Sequence, residues 1–178
     1  MNSTFRLLLV ATAALMFAAP CAMAQTSAAA GPPSVAMPEP VTFPVIPGVQ
    51  VERAAFGVIS DLGSPEATLK PMRVVMRDGQ PVGWVIALQT QKPDVRWREE
   101  FSLPVAPKTW GLKSDSTDVR PPMISADRRS VTTERRSVPA GGTIHHWWKL
   151  DNTDPMGPHT MRVYVEDVLV ATFEFEIQ

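Results

Sequence analysis

The sequence is poor in cysteine and contains none of the short motifs that mark common enzymes. Cys21 is the only cysteine among 178 residues, and it lies in an N-terminal segment that we expect to be cleaved off. The mature chain is therefore predicted to have neither disulfides nor thiol chemistry. A Gly-x-Ser-x-Gly elbow, a His-Glu-x-x-His motif and a phosphate-binding loop are also absent. We predict a non-enzymatic protein without catalytic residues, a metal ion or a cofactor.

An excess of charge of either sign is missing as well. Removing Arg6 with the cleaved segment leaves 16 of the 17 basic residues against 18 acidic ones, a formal charge of −2. This balance gives no electrostatic reason to expect nucleic acid or an anionic membrane surface as a partner. Amphipathic runs long enough for an ordinary helix are also lacking, which argues against a helical fold.

The N-terminus has the pattern of a secretory signal peptide in residues 1–24. A short start with one positive charge precedes an apolar run over residues 7–19, and Ala22-Met23-Ala24 matches a small-x-small cleavage site. A spanning helix needs about 20 apolar residues and has no such site, so we predict no stable membrane insertion. We expect cleavage near Ala24/Gln25 and a periplasmic or secreted protein.

Acylation of Cys21, as in a lipoprotein, is the alternative for this segment. Pro20 stands directly before that cysteine, where a lipoprotein motif normally has Gly or Ala. Release as a soluble protein is therefore the favoured interpretation.

The mature chain divides into a leader and one domain. Residues 25–47 contain six prolines among alanine, serine and glycine, a composition typical of a flexible or polyproline-like segment. The apolar end of this leader, residues 41–46, is predicted to lie along the folded domain as a short edge segment. Residues 48–178 are predicted to form a single domain, since a chain of this length can bury a stable core by itself.

Alternation with a period of two predicts strands throughout residues 48–178. It is clearest at the C-terminus, where one face is apolar: Leu169, Ala171, Phe173, Phe175 and Ile177. The strand before it is predicted to pair with it as an antiparallel hairpin through Glu166-Asp167. A second hairpin is predicted around Asp78-Gly79, between residues 72–76 and 84–88.

Four further strands are predicted over residues 49–59, 95–103, 130–138 and 143–150. Turn clusters separate them, among them Pro121-Pro122. Many short strands without a helix predict an all-β fold, which we interpret as an immunoglobulin-like antiparallel β-sandwich. A small β-barrel is the alternative, because strand patterns alone do not distinguish the two.

Several segments also resemble small exported bacterial proteins of unknown function with an immunoglobulin-like β-sandwich domain. The segments that carry this resemblance are Gly83-Trp84-Val85-Ile86-Ala87-Leu88, residues 95–104, Asp154-Pro155-Met156-Gly157-Pro158-His159, Val163-Tyr164-Val165 and Phe173-Glu174-Phe175. The resemblance covers the last quarter of the chain well and the middle loosely. It implies a binding or structural module and assigns no functional residue, since one sandwich hosts many functions.

The histidines His145, His146 and His159 are the first candidate site. With Met156 and Met161 they have the donor types of a copper pocket. However, neighbouring strand residues face opposite ways, so His145 and His146 are not expected to share one ion. We therefore favour structural roles and predict no metal site.

The five tryptophans are the second candidate. Trp84 and one of the pair Trp147 and Trp148 are predicted to be buried between the sheets, with the other of the pair exposed or covered by a loop. With Trp97 or Trp110, the exposed indole would form a surface patch for a partner or a glycan.

Charged residues are the third candidate site. Arg96, Arg98, Glu99 and Glu100 crowd one predicted strand, which we interpret as a solvated or edge-protecting face. Glu99 and Glu100 diverge as strand neighbours, so this pair is not expected to act on one glycosidic bond.

Two functions from different classes follow. The favoured one is a non-enzymatic interaction module that binds a protein or cell-envelope component through a surface that includes Trp97, Trp110, His145, Trp147 and His159. The alternative is a small-ligand protein of the envelope, for copper or a glycan. In it, at least three side chains converge from among His145 or His146, His159 and nearby methionines or tryptophans. An enzyme assembled from distant residues ranks third, and a cleft holding a histidine beside a carboxylate would favour it.

Overall fold

A computed structural model describes residues 42–60, 68–113 and 115–178 of the chain. The predicted signal peptide (1–24) and most of the predicted leader (25–47) lie outside these residues. The domain limits and the cleavage site therefore stay predictions. In the described part, no helix is long and apolar enough to cross a bilayer.

The described residues form ten strands, so the prediction of an all-β fold is confirmed. Their bounds are β1 Val49–Ser60, β2 Thr68–Pro71, β3 Val74–Val75, β4 Pro81–Thr90, β5 Val95–Ser102, β6 Asp118–Ile124, β7 Ser130–Ser137, β8 Thr143–Lys149, β9 Gly157–Val165 and β10 Val168–Ile177. The four long strands predicted upstream of the C-terminal hairpin correspond to β1, β5, β7 and β8.

These strands make two sheets that enclose one apolar core. The first has the order β2-β1-β4-β8, and the second has the order β3-β10-β9-β5-β7-β6. Both sheets are open, so the structure is a sandwich rather than a closed barrel. Trp84 and Ile86 of β4 enter the core from the first sheet, and Trp97, Phe101 and Met161 enter it from the second.

The C-terminal hairpin is confirmed, with one correction. Glu166 and Asp167 both have positive φ, 49° and 68°, as a tight two-residue hairpin turn requires. The pairing of β9 with β10 shifts register between Leu169 and Ala171. This bulge leaves Leu169 43% exposed and buries Val170, so the prediction that Leu169 shares the core face was wrong.

The hairpin predicted at Asp78-Gly79 is wrong. Gly79 does have a positive φ of 82°, but β3 pairs in parallel with β10 and β4 pairs with β1 and β8. The turn thus links the two sheets rather than two paired strands. The dipeptide Asp78-Gly79 favours a turn in the backbone, but it does not determine which strand β4 pairs with. The buried strand β4 lies between β1 and β8 in the other sheet.

The interpretation of Pro121-Pro122 as a turn between strands is also wrong, since both lie in β6. This strand is at the edge of its sheet, and its pairing with β7 skips between Arg120 and Met123. The two prolines lie in this irregular part of the pairing. Their lack of a backbone N–H therefore costs no hydrogen bond between the strands.

The described end of the predicted leader packs on the domain. Ile46 is buried and forms a β-bridge with Val49, and Phe43 contacts the core. Val45 between them is 93% exposed. Residues 42–46 of this segment therefore pack on the domain as predicted, although the bridge from Ile46 to Val49 belongs to a local turn rather than to a sheet edge.

Candidate functional site

A carboxylate lies in the middle of the sandwich. β5 alternates strictly, and Val95, Trp97, Glu99 and Phe101 all point inward and are buried. Glu99 is 0% exposed. The interpretation of the charges on this strand as a solvated face is therefore wrong for Glu99, because its position in the alternation places it in the core.

Three side chains of the opposite sheet satisfy this carboxylate. The Trp84 Nε1–H donates to Oε2 over 2.6 Å, and the Trp148 Nε1–H donates to Oε1 over 2.7 Å. The Nδ1 of His146 lies 3.0 Å from Oε2. Burial acts to raise the pKa of Glu99, but the charge of His146 and these donors hold that pKa below its ordinary value.

Strand register brings the donors together. His146 of β8 pairs directly with Trp84 of β4, and Trp148 lies two residues further on the same face of β8. Trp97 packs against Trp84 and His146, and its ring centroid lies 5.1 Å from the centroid of each. We call Glu99 and its three partners, Trp84, His146 and Trp148, the Glu99 network. These hydrogen bonds connect β8, an edge strand, to the centre of the other sheet.

A groove opens beside this network. It has a volume of about 540 Å³ and runs between β8 and the β6–β7 edge, under the loop that carries Trp110. We call it the aromatic groove and define it by its lining residues Trp110, Gly111, Leu112, Lys113, Asp115, Pro122, Thr133, Arg135, His146, Trp147, Trp148 and Lys149. Trp110 is fixed by a 3.2 Å hydrogen bond from its Nε1–H to the carbonyl of Arg128.

Arg135 and His146 of the aromatic groove are each paired with a carboxylate. The Nε–H of Arg135 donates to Asp118 over 2.7 Å, and its Nη1 lies 3.7 Å from Asp115. His146 is held by Glu99, and its side chain is 13% exposed. Because Nδ1 is engaged, Nε2 is the ring nitrogen left for a group in the groove.

The structure separates the residues that the sequence proposed as a ligand surface. Trp110 and Trp147 line the aromatic groove, and Trp147 is 41% exposed. Trp97 and His159 are buried, so they contribute nothing to an exposed patch. His145 is exposed on the outer face of β8, opposite His146. Trp84 is buried, Trp148 packs against the core and Trp147 is exposed, as predicted.

The donors considered for copper do not gather in the described part of the chain. There, no three His, Cys, Asp or Glu side chains are placed to hold a metal ion. Met161 is fully buried and Met156 is 56% exposed, so the two methionines lie in different environments.

The sequence interpretation missed the Glu99 network. The signal that could have found it is the alternation Val95, Trp97, Glu99, Phe101, in which a carboxylate occupies an apolar frame. A buried acid requires partners. Tryptophan N–H groups and a histidine were available on predicted strands, but only the fold selects which of them reach Glu99.

A family model matches residues 54–178, well over half of the chain, and its description is the PM0630 β-sandwich domain. The chain belongs to this family. An immunoglobulin-like protein from Pseudomonas aeruginosa, solved by crystallography, resembles this PM0630-family chain with a TM-score of 0.52 and 16% identity, covering 73% of it and 96% of the other chain. This likeness confirms the immunoglobulin-like fold.

A second solved structure is that of the alkylpurine DNA glycosylase AlkC from Pseudomonas fluorescens bound to DNA containing an abasic-site analogue. It matches with 13% identity and a TM-score of 0.35, covering 74% of this chain and 30% of that one. A likeness this weak carries no functional argument for the PM0630-family protein. No curated protein matches the chain in sequence.

Proposed function

We propose that the protein is an exported, non-enzymatic binding module whose contact surface is the aromatic groove. One observation carries this proposal: a groove of about 540 Å³, whose lining includes the indoles of Trp110 and Trp148, is backed by the Glu99 network. Aromatic side chains dominate the energetics of protein interfaces. A rigid backing lowers the entropy cost of binding.

The strand edges beside the groove support a protein or envelope component as partner. β8 is the last strand of its sheet and β6 is the last of the other. The edge of β8 therefore offers backbone groups to an added strand, while the groove accepts side chains from it. His146 beside Glu99 is the pairing of histidine and carboxylate that would favour an enzyme. Glu99, however, is 0% exposed and accepts from three donors of the opposite sheet, which supports a structural rather than a catalytic use of this acid.

Site-specific photo-crosslinking tests the proposal. A benzoylphenylalanine at Lys113, an exposed residue that lines the groove, is expected to capture a discrete partner in intact cells. The matched control is the same probe at Lys70 on β2, at the opposite edge of that sheet from β8. Equal capture from both positions, or capture from Lys70 alone, would contradict the proposed surface.

Export is the second part of the proposal, and it rests on the sequence of residues 1–24. The mature protein is expected to begin at Gln25 and to be released with the periplasmic fraction or the medium. Mass spectrometry of the native N-terminus measures this directly. A protein that keeps Met1 and stays in the cytoplasm would refute export without touching the proposed surface.

A glycan is the second candidate ligand, favoured by the exposure of Trp147 and by the Trp110 and Trp148 rings in the groove. The ring centroids of Trp110 and Trp148 lie 6.3 Å apart at 63°, so they form a corner rather than a flat platform. Titration with a panel of envelope glycans while tryptophan fluorescence is recorded distinguishes this ligand from a protein. Saturable quenching that a Trp110→Ala variant loses would favour the glycan.

A further inference from the structure

A second, smaller cavity adjoins the aromatic groove. Trp110 and Trp148 line both spaces, so the two indoles stand between them. The cavity has a volume of about 50 Å³, and its lining includes Phe101, Asp154 and His159. We call it the His159 cavity.

His159, which lines this cavity, has an unused acceptor. It is 2% exposed, and its Nδ1 lies 2.8 Å from the carbonyl oxygen of Gly157, so Nδ1 carries the proton. Burial keeps the pKa of His159 below its ordinary value, which leaves the ring neutral and Nε2 with a free lone pair. Among the described residues nothing donates to this Nε2. Buried polar atoms of native proteins nearly always have a partner.

The surroundings define the chemistry of the missing partner. The lone pair of Nε2 requires a hydrogen-bond donor. Phe101, Trp110 and Trp148 supply aromatic rings, which attract cations, and Asp154 supplies a carboxylate whose charge acts on His159. Oδ2 of Asp154 already accepts the backbone N–H of Asp151 over 2.7 Å, but a neutral donor does not balance the charge of the carboxylate. A donor that carries positive charge suits both this carboxylate and Nε2.

Neighbouring cations do not fill this role. The Nη1 of Arg77 donates to the carbonyl oxygens of Asn152 and Asp154, at 2.9 and 3.0 Å, rather than to the carboxylate. Lys149 lines the cavity, but its Cε extends towards Gly79.

Size and donor chemistry then select among charged groups. One water molecule needs only about 10–15 Å³ of such space, so a cavity of about 50 Å³ has room for an ammonium group and the methylene before it. A trimethylammonium group has no N–H to donate to Nε2.

We propose that the His159 cavity binds a primary alkylammonium group, which donates a hydrogen bond to Nε2 of His159 and faces the carboxylate of Asp154. Its alkyl stem passes Trp110 and Trp148 into the aromatic groove. The ammonium belongs either to a lysine side chain or to a free alkylamine. Only the lysine source rests on the proposed function of the groove.

Nitrogen NMR of the histidine rings tests the assignment on the wild-type protein. Butylammonium is expected to move the Nε2 resonance of His159 saturably, with a millimolar Kd, while the His145 resonances stay unchanged. Butan-1-ol, a donor without charge, is expected to bind at least about tenfold more weakly. An unmoved His159 resonance, or equal binding of the alcohol, would overturn the proposal in favour of a water-filled cavity.

Variants provide an independent test. Asp154→Asn is expected to weaken butylammonium binding about tenfold or more, and His159→Phe is expected to abolish it while keeping an aromatic ring in place. The matched control is His145→Phe, on the outer face of β8, which should bind as the wild type does. Unchanged binding by both cavity variants would refute the site.

A blocked peptide with one central lysine separates the two sources of the ammonium. Tighter binding than butylammonium, lost when the lysine is acetylated, assigns the ammonium to a polypeptide in the groove. Equal binding assigns it to a free amine. If butylammonium binds but probes at Lys113 capture nothing, the proposed function fails while the cavity assignment stands.

Discussion

The indole N–H of Trp84 donates to Oε2 of Glu99 over 2.6 Å, inside the core and between two sheets. Neither residue has any exposed surface. A charge in this position is stable only while its donors remain, because an ion removed from water depends on compensating bonds. The stability of the fold should therefore depend on this carboxylate.

Glu99→Gln should destabilise the protein by about 3 kcal/mol, since an amide cannot accept all three hydrogen bonds and places its own N–H groups against donors. Urea unfolding measures the loss. Glu100→Gln is the matched control: Glu100 is partly exposed and bonds with Arg98 and Tyr164, so about 1 kcal/mol or less is expected. Equal effects of the two substitutions would contradict the central role of Glu99.

Acid should weaken the wild type through the same group. The folded-state pKa of Glu99 lies below its ordinary value, so the folded protein binds this proton less readily than the unfolded chain does. The stabilisation is complete above the unfolded-state pKa, about 4.3, and is lost as pH falls through the folded-state pKa. Urea midpoints of wild type and Glu99→Gln should therefore converge progressively as the pH falls below about 4.3. If the difference in urea midpoint between the two proteins increased as the pH fell, the lowered pKa of Glu99 would be contradicted.

The adjacent indoles Trp147 and Trp148 should respond differently to the same substitution. Trp148→Phe removes the donor that bonds Oε1 of Glu99 and should cost about 1–3 kcal/mol. Trp147→Phe changes a ring that is 41% exposed and should cost about 0.5 kcal/mol or less. Chemical unfolding of the two variants side by side decides the point, and comparable losses would be inconsistent with the observed alternation of β8.

Gly83 controls how closely β8 approaches β4. A Cβ on Gly83 would lie 2.0 Å from the carbonyl oxygen of His146, so Gly83→Ala must push the strands apart and should cost about 3 kcal/mol. Gly111→Ala is the control, because its φ of +58° brings strain but nothing lies within 4 Å of the added atom. About 1 kcal/mol is expected there. Thermal unfolding measures the stability of both variants. If Gly83→Ala were as stable as Gly111→Ala, Gly83 would not be needed for the close approach of β8 to β4.

Local patterns in the sequence were sufficient for much of the fold. Alternation identified β1, β5, β7 and β8 and the hairpin of β9 and β10, because a sheet with one buried face imposes a period of two. The pattern failed where Val170 is inserted between Leu169 and Ala171 and where prolines occupy an edge strand. It also failed at Asp78-Gly79, since a turn signal does not specify whether the chain stays in one sheet.

The candidate site was less accessible to such patterns. The alternation of β8 correctly separated His145 from His146 and Trp147 from Trp148. It did not indicate that His146 and Trp148 meet Glu99, which is 47 residues away from His146 in the chain. The aromatic groove and the His159 cavity likewise depend on a loop, carrying Trp110, whose path no periodicity describes.

The sequence by itself determined that this chain forms sheets, which face of each long strand is apolar, and that neighbouring side chains on a strand diverge. These properties depend on residues a few positions apart. Only the tertiary structure decided which strands pair, which polar groups are buried together and where cavities remain. Those outcomes depend on packing between the two sheets, where a hydrogen bond such as that from Trp84 to Glu99 forms only after distant segments have met.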